Sequence, residues 1–134
     1  MKRSSAITAP LVAAFVAGLA AAPAQAQEAA PFQPTPPPLE FLVEMAEILG
    51  QAHAIRTACN GEGDQTWRAY MMEMMSIEAP SGNRRSELTR AFNQGYRSQS
   101  RRARSCTADL AETEAQLAER GRMLADTITR IYLE

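Results

Sequence analysis

Two cysteines, Cys59 and Cys106, and one histidine, His53, are the thiol and imidazole groups of this 134-residue chain. Their spacing matches neither the C-x-x-C of dithiol redox chemistry nor the C-x-x-C-H of haem attachment. Three such ligands fall short of the four that a structural zinc site takes. His53 follows the apolar Ala52, and no serine, cysteine or carboxylate stands around it at the spacing of a known catalytic motif. The sequence therefore assigns no catalytic residue and no cofactor, and the expectation is a protein that is not an enzyme.

Two other groupings have chemical potential. In Met71-Met72-Glu73-Met74-Met75 the thioethers are soft donors of the kind that suits Cu(I), with Met72 and Met75 the candidate ligands and His53 a conceivable third. The same run at helical spacing also serves as core filler, because a flexible thioether packs irregular gaps. Between Ser81 and Cys106, seven arginines stand against the single acid Glu87. Arg90, Arg97, Arg101 and Arg104 share one stripe opposite the apolar residues. That stripe can meet an acidic protein, lipid headgroups or an anionic envelope polymer. The plainer reading is a solvated face paired with acidic neighbouring helices.

The N-terminus gives these groups a compartment. Met1-Lys2-Arg3 is basic, Ala6 to Ala22 is apolar apart from one threonine, and Ala-x-Ala sites end at Ala24 and Ala26. That is the layout of a secretory signal peptide over residues 1–26, which predicts export to the periplasm. Its removal takes away Lys2 and Arg3, leaving twelve arginines against fifteen acids. So mild an acidity gives no global reason to bind nucleic acid, and no later stretch is long and apolar enough for a membrane span. The remaining chain, about 108 residues, supports one domain. Residues 27–38 contain five prolines, a composition that favours an extended, disordered tether.

Residues 39–134 are expected to form an all-α domain, a four-helix antiparallel bundle running up, down, up, down. The first helix spans Leu39 to Cys59, with Phe41, Met45, Ile48, Ala52, Ile55 and Cys59 along one face. Asn60-Gly61-Glu62-Gly63 ends it, and Asp64 is placed to cap a second helix from Gln65 to Glu78. Trp67, Met71, Met74 and Ile77 form the face of that helix, with Met72 and Met75 on its flanks. A third helix is expected from Arg84 to Arg104, and a fourth from Ala108, capped by Thr107. Leu110, Glu114, Leu117, Gly121, Leu124, Ile128 and Ile131 make the seam of the fourth, with Gly95 the expected partner of Gly121. In this topology the ends of the first and third helices share a pole, so Cys59 and Cys106 are expected to form an intramolecular disulfide in an oxidising compartment.

The two separated cysteines, together with Ala91-Phe92-Asn93-Gln94-Gly95-Tyr96-Arg97, give the chain a resemblance from Leu39 onward. It resembles a family of small exported alphaproteobacterial proteins of unknown function. The resemblance implies a disulfide between Cys59 and Cys106 and leaves the activity open. The functional expectation is a periplasmic structural or interaction protein whose arginine-bearing helix faces an envelope protein or another anionic envelope component, with a copper-binding protein as the alternative.

Overall fold

Proline and glycine punctuate the chain where the helices begin and end. In a computed structural model, which describes residues 35–133, the helices are α1 (Leu39–Asn60), α2 (Thr66–Glu78), α3 (Gly82–Ser100) and α4 (Ala108–Leu133), and no strand occurs among the described residues. The signal peptide expected over 1–26, and the tether as far as residue 34, lie outside them. α1 starts directly after Pro38 and stops at Gly61, whose φ of 88° suits glycine and whose N–H reaches the Thr57 carbonyl. α3 begins at Gly82, whose φ is 76°.

The end of the proline run is less free than its composition predicts. Pro37 is fully buried, and Arg84 of α3 donates to its carbonyl at 2.5 Å, so the tether is fastened to the domain before α1 begins. Asp64 does its expected work from one position earlier. Gln65 occupies the cap of α2, while the Asp64 carboxylate accepts from both the backbone N–H and the hydroxyl of Thr66, at 3.1 and 2.7 Å.

α1 is the hub of the fold, because each of the other helices packs against it. Residue pairings fix the directions. Gly95 of α3 lies on Glu47 and Gln51, Gly50 lies on Phe92 and Tyr96, and Cys59 is bonded to Cys106, so α1 and α3 run parallel. Glu114 and Arg120 of α4 pair with Arg56 and Glu44 respectively, so α4 runs opposite to α1. The four-helix, up-down-up-down arrangement is the observed one.

Two apolar clusters share α1. Leu42, Ala46 and Leu49 meet Met71 and Met75 of α2 and Leu88 and Ala91 of α3 on one side. Ile48, Ala52 and Ile55 meet Leu110, Leu117 and Leu124 of α4, with Ala103, on the other. Burial on both sides is why nine residues of α1 are buried rather than a single stripe.

Several expectations are corrected. α3 ends at Ser100, not Arg104: the N–H groups of Arg102 and Ala103 both turn back to the Gln99 carbonyl, which seats Ala103 in the core and brings Cys106 to Cys59. Gly95 does not face Gly121. Its neighbour is the α1 backbone, and Gly121 instead meets the side chains of Ile48 and Met45. Met75, placed on a flank, is buried, whereas Ile77 is 70% exposed. α2 packs through the four-residue row Met71–Met75, and residue 77 lies roughly 200° around the helix from Met75.

Glu114 interrupts the α4 seam for a reason. Its carboxylate accepts the indole N–H of Trp67 at 2.7 Å and pairs with Arg56, which also reaches Asp64, so one anion ties α1, α2 and α4 together. Replacing Glu114 by alanine strands the indole N–H and the guanidinium at a half-buried junction. The expected loss is about 2 kcal/mol in urea unfolding followed by Trp67 fluorescence. A Glu114→Gln protein, which can still accept the indole N–H, should lose less.

Candidate functional site

Cys59 and Cys106 are joined, with Cα atoms 4.7 Å apart. The bond closes the pole where α1 ends and the chain leaves α3. Beside that pole, on the side of α2, a cleft of about 340 Å³ opens between three helices. α1 contributes His53 and Thr57 to it, the α1–α2 turn Glu62, α2 Arg68, and α3 Phe92, Asn93 and Tyr96.

The position of His53 follows from helix spacing. It stands three residues beyond Gly50, where α3 comes close enough for the Phe92 and Tyr96 rings to lie against the imidazole at centroid distances of 5.8 and 5.5 Å. His53 is only 5% exposed, and its Nδ1 is buried with no hydrogen-bond partner. Burial, and next the positive charge of Arg68, hold the His53 pKa below its ordinary value, against a smaller opposing pull from Asp64. The imidazole is accordingly neutral at neutral pH.

Asp64 is committed elsewhere. Hydrogen bonds from Asn60 and Thr66, and then Arg56, hold its carboxyl well below the usual carboxylate range. Arg68, in contrast, is exposed and forms no ion pair among the described residues. The cleft thus combines a neutral buried imidazole, an uncommitted guanidinium, the amide of Asn93, and two aromatic walls. That set can hold a small anionic or polar group. It lacks the adjacent nucleophile and base of a hydrolytic site.

Only half of the arginine stripe lies on a helix, because α3 ends at Ser100. Arg90, Arg97, Arg101 and Arg104 are all exposed, and none forms an ion pair among the described residues. Arg90 and Arg97 lie on α3, Arg101 occupies its C-cap and Arg104 lies beyond its end. The pairing with acidic helices allowed by the plainer reading is not formed. Arg56, Arg120 and Arg122 take the carboxylates of Asp64, Glu114, Glu44, Glu119 and Asp126 instead. Arg97 is about 40° around the helix from Asn93, so the basic face adjoins the rim of the cleft.

The methionines divide. Met71 and Met75 are core residues, and the Met75 sulfur accepts the Thr89 hydroxyl at 3.6 Å. Met72 is 52% exposed. Met72 and Met75 line a hollow shared with Arg68 and Arg85, and the positive charge there opposes a bound cation. His53 lies in the separate cleft described above, where it is not assembled with them.

Sequence reading overlooked a second hollow of about 550 Å³ between α2 and α4, floored by α1 and lined by Met45, Trp67, Tyr70, Met74, Leu117 and Ala125 among others. Each of these residues is unremarkable in its own helix. The hollow arises because α2 and α4 both pack on α1 without their backbones approaching one another.

No helix among the described residues is long and apolar enough to cross a membrane. Comparison with curated proteins and with solved structures gave no match. The family described as "Protein of unknown function (DUF2385)" matches residues 38–132, a span that takes in α1 to α3, all of α4 but its last residue, the disulfide, the cleft and the arginine face. The chain therefore belongs to this family.

Proposed function

We propose that this is an exported, periplasmic helical scaffold that docks an acidic protein surface against the arginine face of α3. The observation that carries the reading is selective ion pairing. The arginines at positions 56, 120 and 122 are neutralised within the fold, whereas Arg90, Arg97, Arg101 and Arg104 are exposed and uncommitted among the described residues. Unpaired guanidiniums held at the surface of α3 and the turn that follows it suit carboxylates at matching positions, and they steer association through long-range attraction.

Export is supported by two features that share one cause. A basic and then apolar N-terminus with Ala-x-Ala sites directs secretion, and a disulfide forms and persists in the compartment that secretion reaches. A protein partner is favoured over a lipid surface because an interfacial helix inserts an apolar face, and that of α3 is already buried on α1. The large exposed apolar side chains belong to α2 and α4.

The test places a photo-crosslinker at Gln94, beside the stripe, in intact cells and identifies the adduct by mass spectrometry. The purified pair should bind more weakly as salt rises. Replacing Arg97 and Arg101 together by alanine should weaken it by about tenfold or more. Binding indifferent to the double replacement, or adducts to lipid rather than protein, would refute the proposal.

A further inference from the structure

The cleft holds two features that the arginine-face reading leaves unexplained. The first is the orphaned Nδ1 of His53, in a side chain that is almost wholly buried. Burying a polar nitrogen without a partner costs about 1–3 kcal/mol, a sizeable fraction of the stability of a small domain, so such an atom calls for a cause. The second is Arg68. It lines the same cleft as Glu62, and yet the two do not pair. Its charge is felt at the imidazole more strongly than that of Asp64.

The walls complete the description. Phe92 and Tyr96 present ring surface beside His53, and Asn93 supplies an amide at the rim. A volume of about 340 Å³ falls within the range of small-molecule sites, and the lining is mostly polar, with Thr57, Glu62, Gln65, Arg68 and Asn93 around the two aromatic rings. The ring surfaces accept an apolar body, and the only cation lining the cleft accepts a carboxylate.

We infer that this cleft binds a small carboxylic acid with an apolar body, its carboxylate on Arg68 and its body against the rings of Phe92 and Tyr96, beside His53. The site is separate from the arginine face, though Asn93 brings the two side by side, and it needs no protein partner. Arg68 projects from the exposed side of α2 and can be changed without opening the core.

The probe is N-acetyl-L-phenylalanine, titrated into the isotope-labelled full domain and followed by NMR, with N-acetyl-L-phenylalaninamide as the uncharged control. Saturable shifts are expected at the His53 ring and the Arg68 side-chain N–H, with the amide at least about tenfold weaker. Arg68→Gln should weaken the acid by a similar factor while leaving the backbone spectrum otherwise native. Arg90→Ala, on the partner face, should leave it unchanged, which separates this inference from the one above. Equal binding of acid and amide would overturn the assignment. So would an Arg68→Gln protein that binds as well as wild type, shifts confined to Arg90 and Arg97, or no saturation up to about 10 mM.

Discussion

Replacing Cys59 and Cys106 together by serine should cost about 4 kcal/mol of unfolding free energy, with a fall in Tm on the order of 20 °C. The estimate follows from the 47-residue separation of the two cysteines, because the bond denies the unfolded chain the conformations in which that loop is open. Cys59 is half-buried and Cys106 exposed, so the serines leave no core cavity and the effect belongs mainly to the unfolded state. Urea melts of wild type, of wild type with reductant and of the double variant provide the check. The reduced and substituted proteins should agree with each other, and both should show a steeper denaturant dependence as the freed chain exposes more surface. Since a small domain has only about 5–15 kcal/mol in total, the bond is the largest single contribution visible in this fold. A loss below about 1 kcal/mol would mean that helix packing alone holds the pole where α1 and α3 end.

Much of this architecture was legible in the chain. Proline breaks and capping residues act locally, so the start of α1 after Pro38, the end of α2 before Pro80 and the start of α4 after Thr107 could be read from single residues. Alternating three- and four-residue spacing identified the α4 seam, and Leu110, Leu117 and Leu124 are indeed its buried positions. The stripe read along α1, from Phe41 to Cys59, is the side that meets α4 and only that side. A periodicity argument finds one partner for a helix, and α1 has three. The end of α3 was misplaced because nothing in Arg101-Arg102-Ala103-Arg104 opposes helix. The turn there is dictated from a distance, by the need of Ala103 for the core and of Cys106 for Cys59.

The candidate site was less legible for a related reason. His53 was visible as the sole histidine, but its burial depends on how near α3 approaches, and Arg68 showed no pattern of its own in α2. The cleft exists only once three helices converge. The exposure of Arg90 and Arg97 was legible, because a position opposite a known apolar face follows from helix geometry alone, whereas Arg101 and Arg104 fall past the end of α3. What the sequence left open was whether those arginines are paired, and that depends on where the carboxylates of α1 and α4 settle.

The nearness of α3 is itself encoded, in a pattern of small residues rather than large ones. Ala46, Gly50, Ala54 and Ala58 recur every four residues on α1, and Ala91 and Gly95 keep the same step on α3. Two rows of this kind let the helix backbones touch. A methyl group built on Gly50 would fall inside the Phe92 carbonyl and 2.9 Å from the Tyr96 nitrogen, and one on Gly95 would fall inside the Glu47 carbonyl and 3.2 Å from the Gln51 nitrogen. Backbone cannot swing aside as a side chain can, so relief requires α1 and α3 to separate along their length. Gly50→Ala and Gly95→Ala should each cost about 3 kcal/mol or more in urea unfolding. Gly121→Ala is the matched control. Its methyl would meet Ile48 and Met45 side chains at 3.6 and 3.8 Å, ordinary contact distances, so the helix-propensity gain should stabilise the protein by roughly 0.5–1 kcal/mol. Opposite signs for one chemical change at three helical glycines would identify the α1–α3 contact as the constraint. If Gly50→Ala were tolerated within about 1 kcal/mol, the close approach that buries His53 and shapes the cleft would not exist in solution.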